Sequence, residues 1–236
     1  MKIIIALLAL FSVNTALANN IIVNGTRFIY PEESSEITIQ MTNTNQSPSL
    51  AQIWLDEGDS AKLPEEITTP FIISPPIARI DAGNGQSVRI KKAADRHIVA
   101  TDRESLWWLN ILDIPSVDNR NVPENSSTLN LAIRSRFKLF WRPASLGDRQ
   151  NAESKMEIIA RNSEMTLVNP TPFYITVANI STTSGNKLLE EGVMVPPKSR
   201  TDINNLKHKV RKGEPVVLHA VSDYGSVVEF KTAINK

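Results

Sequence analysis

The chain has 236 residues, 41% of them hydrophobic, with 26 basic against 25 acidic side chains and no cysteine. So even a balance supplies no global attraction to nucleic acid or to an anionic membrane. The missing cysteines exclude disulfides, thiol nucleophiles and cysteine-built zinc sites, so the folded cores must suffice by themselves.

Residues 1–18 read as a cleavable export signal. Met1-Lys2 gives a positive start, residues 3–11 an apolar core, and Ala16-Leu17-Ala18 a small-residue cleavage site. The apolar run is too short to span a bilayer comfortably, and polar Ser12 and Asn14 follow it. Removing the first 18 of 236 residues leaves 218 and takes away only Lys2, which moves the formal charge from +1 to zero. The mature chain is expected to start near Asn19, to be exported, and to have no membrane insertion.

Short β-favouring runs then follow one another, bounded by Pro, Gly, Asn, Asp and Ser. The first series is 21–23, 27–30, 36–41, 51–56, 71–74, 78–80, 87–91, 106–112 and 128–141; the second is 155–161, 165–168, 173–180, 188–190, 200–203, 216–220 and 227–234. Many alternate, as in Glu36-Ile37-Thr38-Ile39-Gln40-Met41, which turns one face inward and one to water. No long stretch keeps a helical period; residues 204–209 admit a short helix or a turn. Two series of this spacing predict an all-β chain of two sandwiches. The break is expected after Arg142-Pro143, where 144–153 is polar and poor in β-branched residues. That gives domains 19–143 and 144–236, with one larger barrel or sandwich as the alternative.

Catalytic and metal chemistry find no foothold. His97, His208 and His219 are far apart, and none belongs to a zinc-type pair. Asp56, Glu57 and Asp59 read as a solvated hairpin loop rather than a calcium loop. No nucleophile elbow, Walker loop or dinucleotide fingerprint is present. A binding protein is expected, not an enzyme, with no cofactor and no metal.

The most uneven stretch is Ser127-Thr-Leu-Asn-Leu-Ala-Ile-Arg-Ser-Arg-Phe-Lys-Leu-Phe-Trp-Arg-Pro143. Leu129, Leu131 and Ile133 alternate at one end, and Arg134, Arg136, Lys138 and Arg142 charge the other with no carboxylate between them. By alternation alone the apolar residues would fill their own domain's core.

Residues 128–143 resemble the last strand of the first domain in periplasmic pilus-assembly chaperones. Six further stretches match in order: T-R-F-I-Y from Thr26, L-A-Q-I-W from Leu50, S-P-P-I-A-R-I from Ser74, D-R-E-S-L-W-W-L-N from Asp102, N-P-T-P-F-Y from Asn169 and D-Y-G from Asp223. The resemblance spans essentially the whole mature chain. It implies two immunoglobulin-like sandwiches set as a boomerang with a cleft between them, in the periplasm, holding pilus subunits that lack their final strand. Leu129, Leu131 and Ile133 would then enter the subunit's groove by strand addition. Arg27 and Lys138 would grip the subunit's C-terminal carboxylate, and Glu104, Arg142 and Asp223 would form an interdomain charge network.

Ile133 and Lys138 differ by an odd number, so a bulge or a change of partner strand is expected if both face the subunit. One of Pro75 and Pro76 is a candidate cis site. The short run 117–127 and the missing cysteines resemble the short-loop branch of the family. An outer-membrane usher is the implied acceptor, with neither ATP nor nucleic acid involved. The rival reading is a structural pilus or adhesin subunit, but only Asn19 and Asn20 precede the first strand as a donor extension.

Overall fold

The computed structural model describes residues 20–94, 98, 100–116, 131–161, 164–204 and 211–235. The export signal, the run 117–127, Leu129, His97, His208 and nearly all of 204–209 lie outside the described residues. Within them the chain is mostly strand and builds two β-sandwiches; the alternative of one larger barrel is not formed.

The first sandwich consists of β1 (Ile21–Val23), β2 (Arg27–Pro31), β3 (Glu36–Asn43), β4 (Ser49–Asp56), β5 (Phe71–Ser74), β6 (Ile77–Ile80), β7 (Gly85–Lys92), β8 (Ser105–Pro115) and β9 (Ile133–Arg142). One sheet runs β1-β3-β7-β5 and the other β2-β9-β8-β4-β6. Alternation decides which side chains turn inward. Ile37, Ile39 and Met41 of β3 meet Ala51, Ile53 and Leu55 of β4 and Trp107, Leu109 and Ile111 of β8 in one core. Tyr30, Phe71, Trp107 and Trp141 cluster within it, with Tyr30 and Trp141 centroids 5.0 Å apart and Phe71 edge-on to Trp107 at 5.0 Å. Such rings supply much of the apolar burial that a disulfide-free sandwich needs. The Tyr30 hydroxyl stays satisfied, donating to the Ser35 carbonyl at 2.9 Å and accepting the Lys92 N–H at 3.1 Å. The Ser74–Pro75 bond is cis.

Between β1 and β2 the chain crosses from one sheet to the other, with Gly25 at φ 143° in the turn. The crossing lays β2 parallel to β9, and Arg27 falls opposite Lys138.

The second sandwich consists of β10 (Glu157–Arg161), β11 (Glu164–Asn169), β12 (Ile175–Thr182), β13 (Lys187–Leu189), β14 (Val193–Val195), β15 (Ser199–Ile203), β16 (Pro215–Val221) and β17 (Val227–Asn235). β17 pairs with β16 for most of its length and then runs parallel to β10 at Ile234 and Asn235, which joins the two sheets. Ile158, Leu167, Ile175, Val177 and Leu218 are central to a separate core. Two 3-10 turns, Ala144–Leu146 and Ala152–Lys155, carry the chain from β9 to β10.

Candidate functional site

β9 pairs antiparallel with β8 without interruption, from Asp113↔Ile133 to Ser105↔Trp141. The expected bulge or change of partner does not occur, and strict pleating holds. The reason lies in the core, because Leu139 and Trp141 are packed there and a one-residue slip would expel them. Ile133, Phe137, Leu139 and Trp141 therefore share the core-facing side. Arg134, Arg136, Lys138, Phe140 and Arg142 share the outward side. Ile133 lies at the end of the sandwich and is 43% exposed; Leu131, just before the strand, is 60% exposed. β2 covers the second edge of β9 only from Lys138 onward, so residues 133–137 leave that edge without a partner strand among the described residues.

The outward cations meet three different environments. Arg136 donates from Nη2 to both oxygens of Asp56 at 2.6 and 2.9 Å, and Arg134 Nη2 lies 3.5 Å from the same carboxylate. Each guanidinium also covers an indole at 4.8 Å, Arg134 over Trp54 and Arg136 over Trp108. Asp56 is 1% exposed, so its reading as part of a solvated loop is corrected; Glu57 and Asp59 do face water. Asp56 ends β4 on the same outward face as Trp54, and two strand-to-strand steps separate it from β9. No spacing in the sequence reports such a relation.

Arg142 lies between the sandwiches. Its Nε donates to Glu104 at 2.7 Å and its Nη1 to Asp223 at 2.8 Å. Glu104, 1% exposed by side chain, also accepts the Tyr174 N–H at 2.7 Å. The three predicted network residues are thus brought together. Burial pushes the Glu104 carboxyl up, only partly offset by Arg142. Burial would pull Arg142 down, but its bonds and charges with Asp223 and Glu104 outweigh this and the net shift is upward. The sequence did not single out Arg149, whose Nε lies 3.4 Å from Asp223, or the Lys198–Asp102 bridge at 2.7 Å. Arg103 and Lys198 hold the Asp102 carboxyl well below the usual carboxylate range.

Lys138 and Arg27 differ from all of these. They are cross-strand neighbours, and neither forms an ion pair among the described residues. Lys138 Nζ reaches only Thr176 Oγ1, at 3.5 Å, and lies 5.8 Å from the centre of the Trp108 ring. Arg27 Nη1 donates to the Val221 carbonyl at 3.3 Å, while its buried Nε has no partner. Both contacts reach the second sandwich, so the pair lines the junction of the two domains. Burial, reinforced by Arg27, lowers the Lys138 pKa; burial and the Arg149 charge lower that of Arg27.

Comparison with known proteins gives this arrangement its context. Residues 20–147 match the family described as "Pili and flagellar-assembly chaperone, PapD N-terminal domain", and residues 151–232 match "Pili assembly chaperone PapD, C-terminal domain". The chain is 49% identical to the chaperone protein MrkB of Klebsiella pneumoniae over 92% of each chain. It is 34% identical to the chaperone protein FimB/FhaD of Bordetella pertussis, covering 95% of this chain and 92% of that one. Among solved structures, the Pseudomonas aeruginosa CupB2 chaperone superposes with a TM-score of 0.76 at 31% identity, covering 91% of this chain and all of that one. A Salmonella enterica SafB chaperone bound to SafA pilin shares the fold, with a TM-score of 0.77 at 24% identity over 92% and 97% of the two chains. The chain belongs to the PapD-type pili assembly chaperone family, a family of chaperones and not of enzymes.

Proposed function

We propose that this chaperone acts in the periplasm, caps incomplete pilus subunits by lending them the bare edge of β9, and delivers them to an outer-membrane usher. The observation that carries the reading is electrostatic. Arg134, Arg136 and Arg142 each meet a carboxylate of their own chain, whereas Lys138 and its neighbour Arg27 do not. Two half-buried cations side by side at a domain junction are costly unless an anion joins them. The subunit's C-terminal carboxylate is such an anion, and each cation can offer it charge-assisted hydrogen bonds.

Strict pleating divides the work on β9. The outward face holds the carboxylate anchor, while Leu131 and Ile133, exposed beyond the core, supply apolar side chains to the subunit's groove, with Leu129 as the next in the series. No bulge is required, because an added strand pairs with the backbone edge and meets side chains of both faces. Glu104, Arg142 and Asp223 hold the two domains at a fixed angle around the anchor, with the domain boundary at Pro143. Fixing register at the anchor sets which groove pocket each apolar residue meets.

The test is co-expression of a cognate pilus subunit with Arg27→Ala or Lys138→Ala chaperone. Loss of recovered complex is expected for both. Wild-type recovery with both variants would rule out the anchor.

A further inference from the structure

A bare strand edge ordinarily frays, because half of its backbone groups lack partners and few contacts hold it down. The bare part of β9 is instead clasped from its outward face. Arg134 and Arg136 lie back across β8 and both donate from Nε to Asn110 Oδ1, at 2.9 and 3.1 Å. Arg134 Nη1 continues to the Ser60 carbonyl at 2.7 Å, and Arg136 Nη2 grips both oxygens of Asp56. Asn110 is fully buried and saturated, since its Nδ2 donates to Asp56 Oδ2 at 2.7 Å and to the Trp108 carbonyl at 3.0 Å.

We infer that Asp56 and Asn110 are positioning residues for strand donation: through Arg134 and Arg136 they hold the bare edge of β9 straight and in register before a client arrives. The inference rests on the strand-donation reading above. An edge ordered during folding does not have to be ordered at the moment of binding, so the client meets hydrogen-bonding groups already in place. Stability alone is a poor reason for the clasp, since well-packed apolar side chains commonly match or exceed a buried ion pair. An apolar outward row beside a bare edge would, however, invite pairing with any exposed strand. Charges that are held down by Asp56 and partly offset by it keep the edge ordered without making the surrounding surface adhesive.

The experiment compares the full mature chain with Asp56→Asn, which leaves both arginines without a counter-charge. Hydrogen exchange of the free protein and the rate of capture of a purified, denatured pilus subunit are both measured. Amides of residues 133–137 that bond to β8 are expected to exchange at least tenfold faster, with amides of β3 and β7 unchanged. Capture is expected to slow at least tenfold. A purely structural role would speed exchange across the whole sandwich together and lower the melting temperature, and that outcome overturns the inference. Unchanged exchange at 133–137, or faster exchange with unchanged capture, overturns it as well. If Asp56→Asn fails to fold, the charge-balanced pair Asp56→Asn with Arg136→Gln is read by the same criteria. Because the exchange arm needs no client, it stands apart from the donation reading. That reading fails separately if Leu131→Asp with Ile133→Asp still captures the subunit.

Discussion

Arg142 and Lys138 are four residues, two strand periods, apart on the same face of β9, yet they meet opposite surroundings. Arg142 has two carboxylates within 2.8 Å and its pKa is raised; Lys138 has none, and burial and Arg27 lower its pKa. Charge satisfied within the chain shapes the molecule, as Arg142 does by tying the end of β9 to Glu104, just before β8, and to the turn after β16. Charge left unsatisfied at a junction costs free energy in the unbound protein and is recovered only when an anion arrives. The contrast separates a cation paired within the chain from the two for which a client carboxylate is proposed.

The largest expected effect lies on the unsatisfied side. If Lys138 and Arg27 bind the subunit carboxylate as proposed, removing either deletes one partner of a desolvated charge pair and is expected to cost about 2–5 kcal/mol of binding, or roughly thirtyfold or more in Kd for the subunit. The free protein should respond in the other direction. A lysine whose folded pKa lies below its unfolded value destabilises the fold while charged, and this penalty is lifted as pH rises through that lowered pKa. Lys138→Met is therefore expected to melt at or above the wild-type temperature while losing the subunit. A melting temperature well below wild type would break the contrast, since Lys138 would then be supporting the fold.

On the satisfied side, Arg142→Ala strands the buried Glu104 carboxylate. A loss of about 3 kcal/mol is expected in urea unfolding, together with a wider spread of interdomain angles in small-angle scattering. Asp223→Asn should cost less, because Asp223 is 26% exposed by side chain and water can replace part of the bond. Equal effects from the two would show that the network does not centre on Glu104.

A smaller effect is expected at Gly225, in the turn that carries Asp223. Its φ is +82°, and a Cβ there would clash with Oγ1 of Thr26, one residue before Arg27. Gly225→Ala should cost about 1–2 kcal/mol through backbone strain and the clash with Thr26. Adding Thr26→Ala should return the steric part and leave the backbone part. Complete recovery would mean that the turn tolerates alanine and that only contact across the junction matters.

The mildest effect is a pH dependence. If charged Lys138 anchors the subunit as proposed, affinity should fall as pH rises through the lowered pKa of the free chaperone, below the 10.5 of an ordinary lysine. Binding measured by calorimetry on the alkaline side should be accompanied by proton uptake. Its persistence in Lys138→Ala would assign the proton to another group.

Much of this could be read from the order of residues. Alternation in 36–41 and 106–112 marked which faces turn inward, because a strand's side-chain period of two is a local property. The absent cysteines and the two strand series led to two sandwiches with independent cores. The family stretches brought Arg27, Lys138, Glu104, Arg142 and Asp223 into view by their matches, since no local rule joins residues so far apart.

Tertiary structure decided where each charge on β9 ends. Asp56 looks like one of three loop carboxylates until β4 and β8 align it with Arg136, and Arg149 reaches Asp223 only because the turns after Pro143 bring it back. The unbroken pleat of β9 was likewise set from outside the strand, by the core seats of Leu139 and Trp141 and by uninterrupted pairing with β8. Propensity and periodicity act over a few neighbouring residues, whereas the partner of a charge is chosen by whichever strand the fold places beside it.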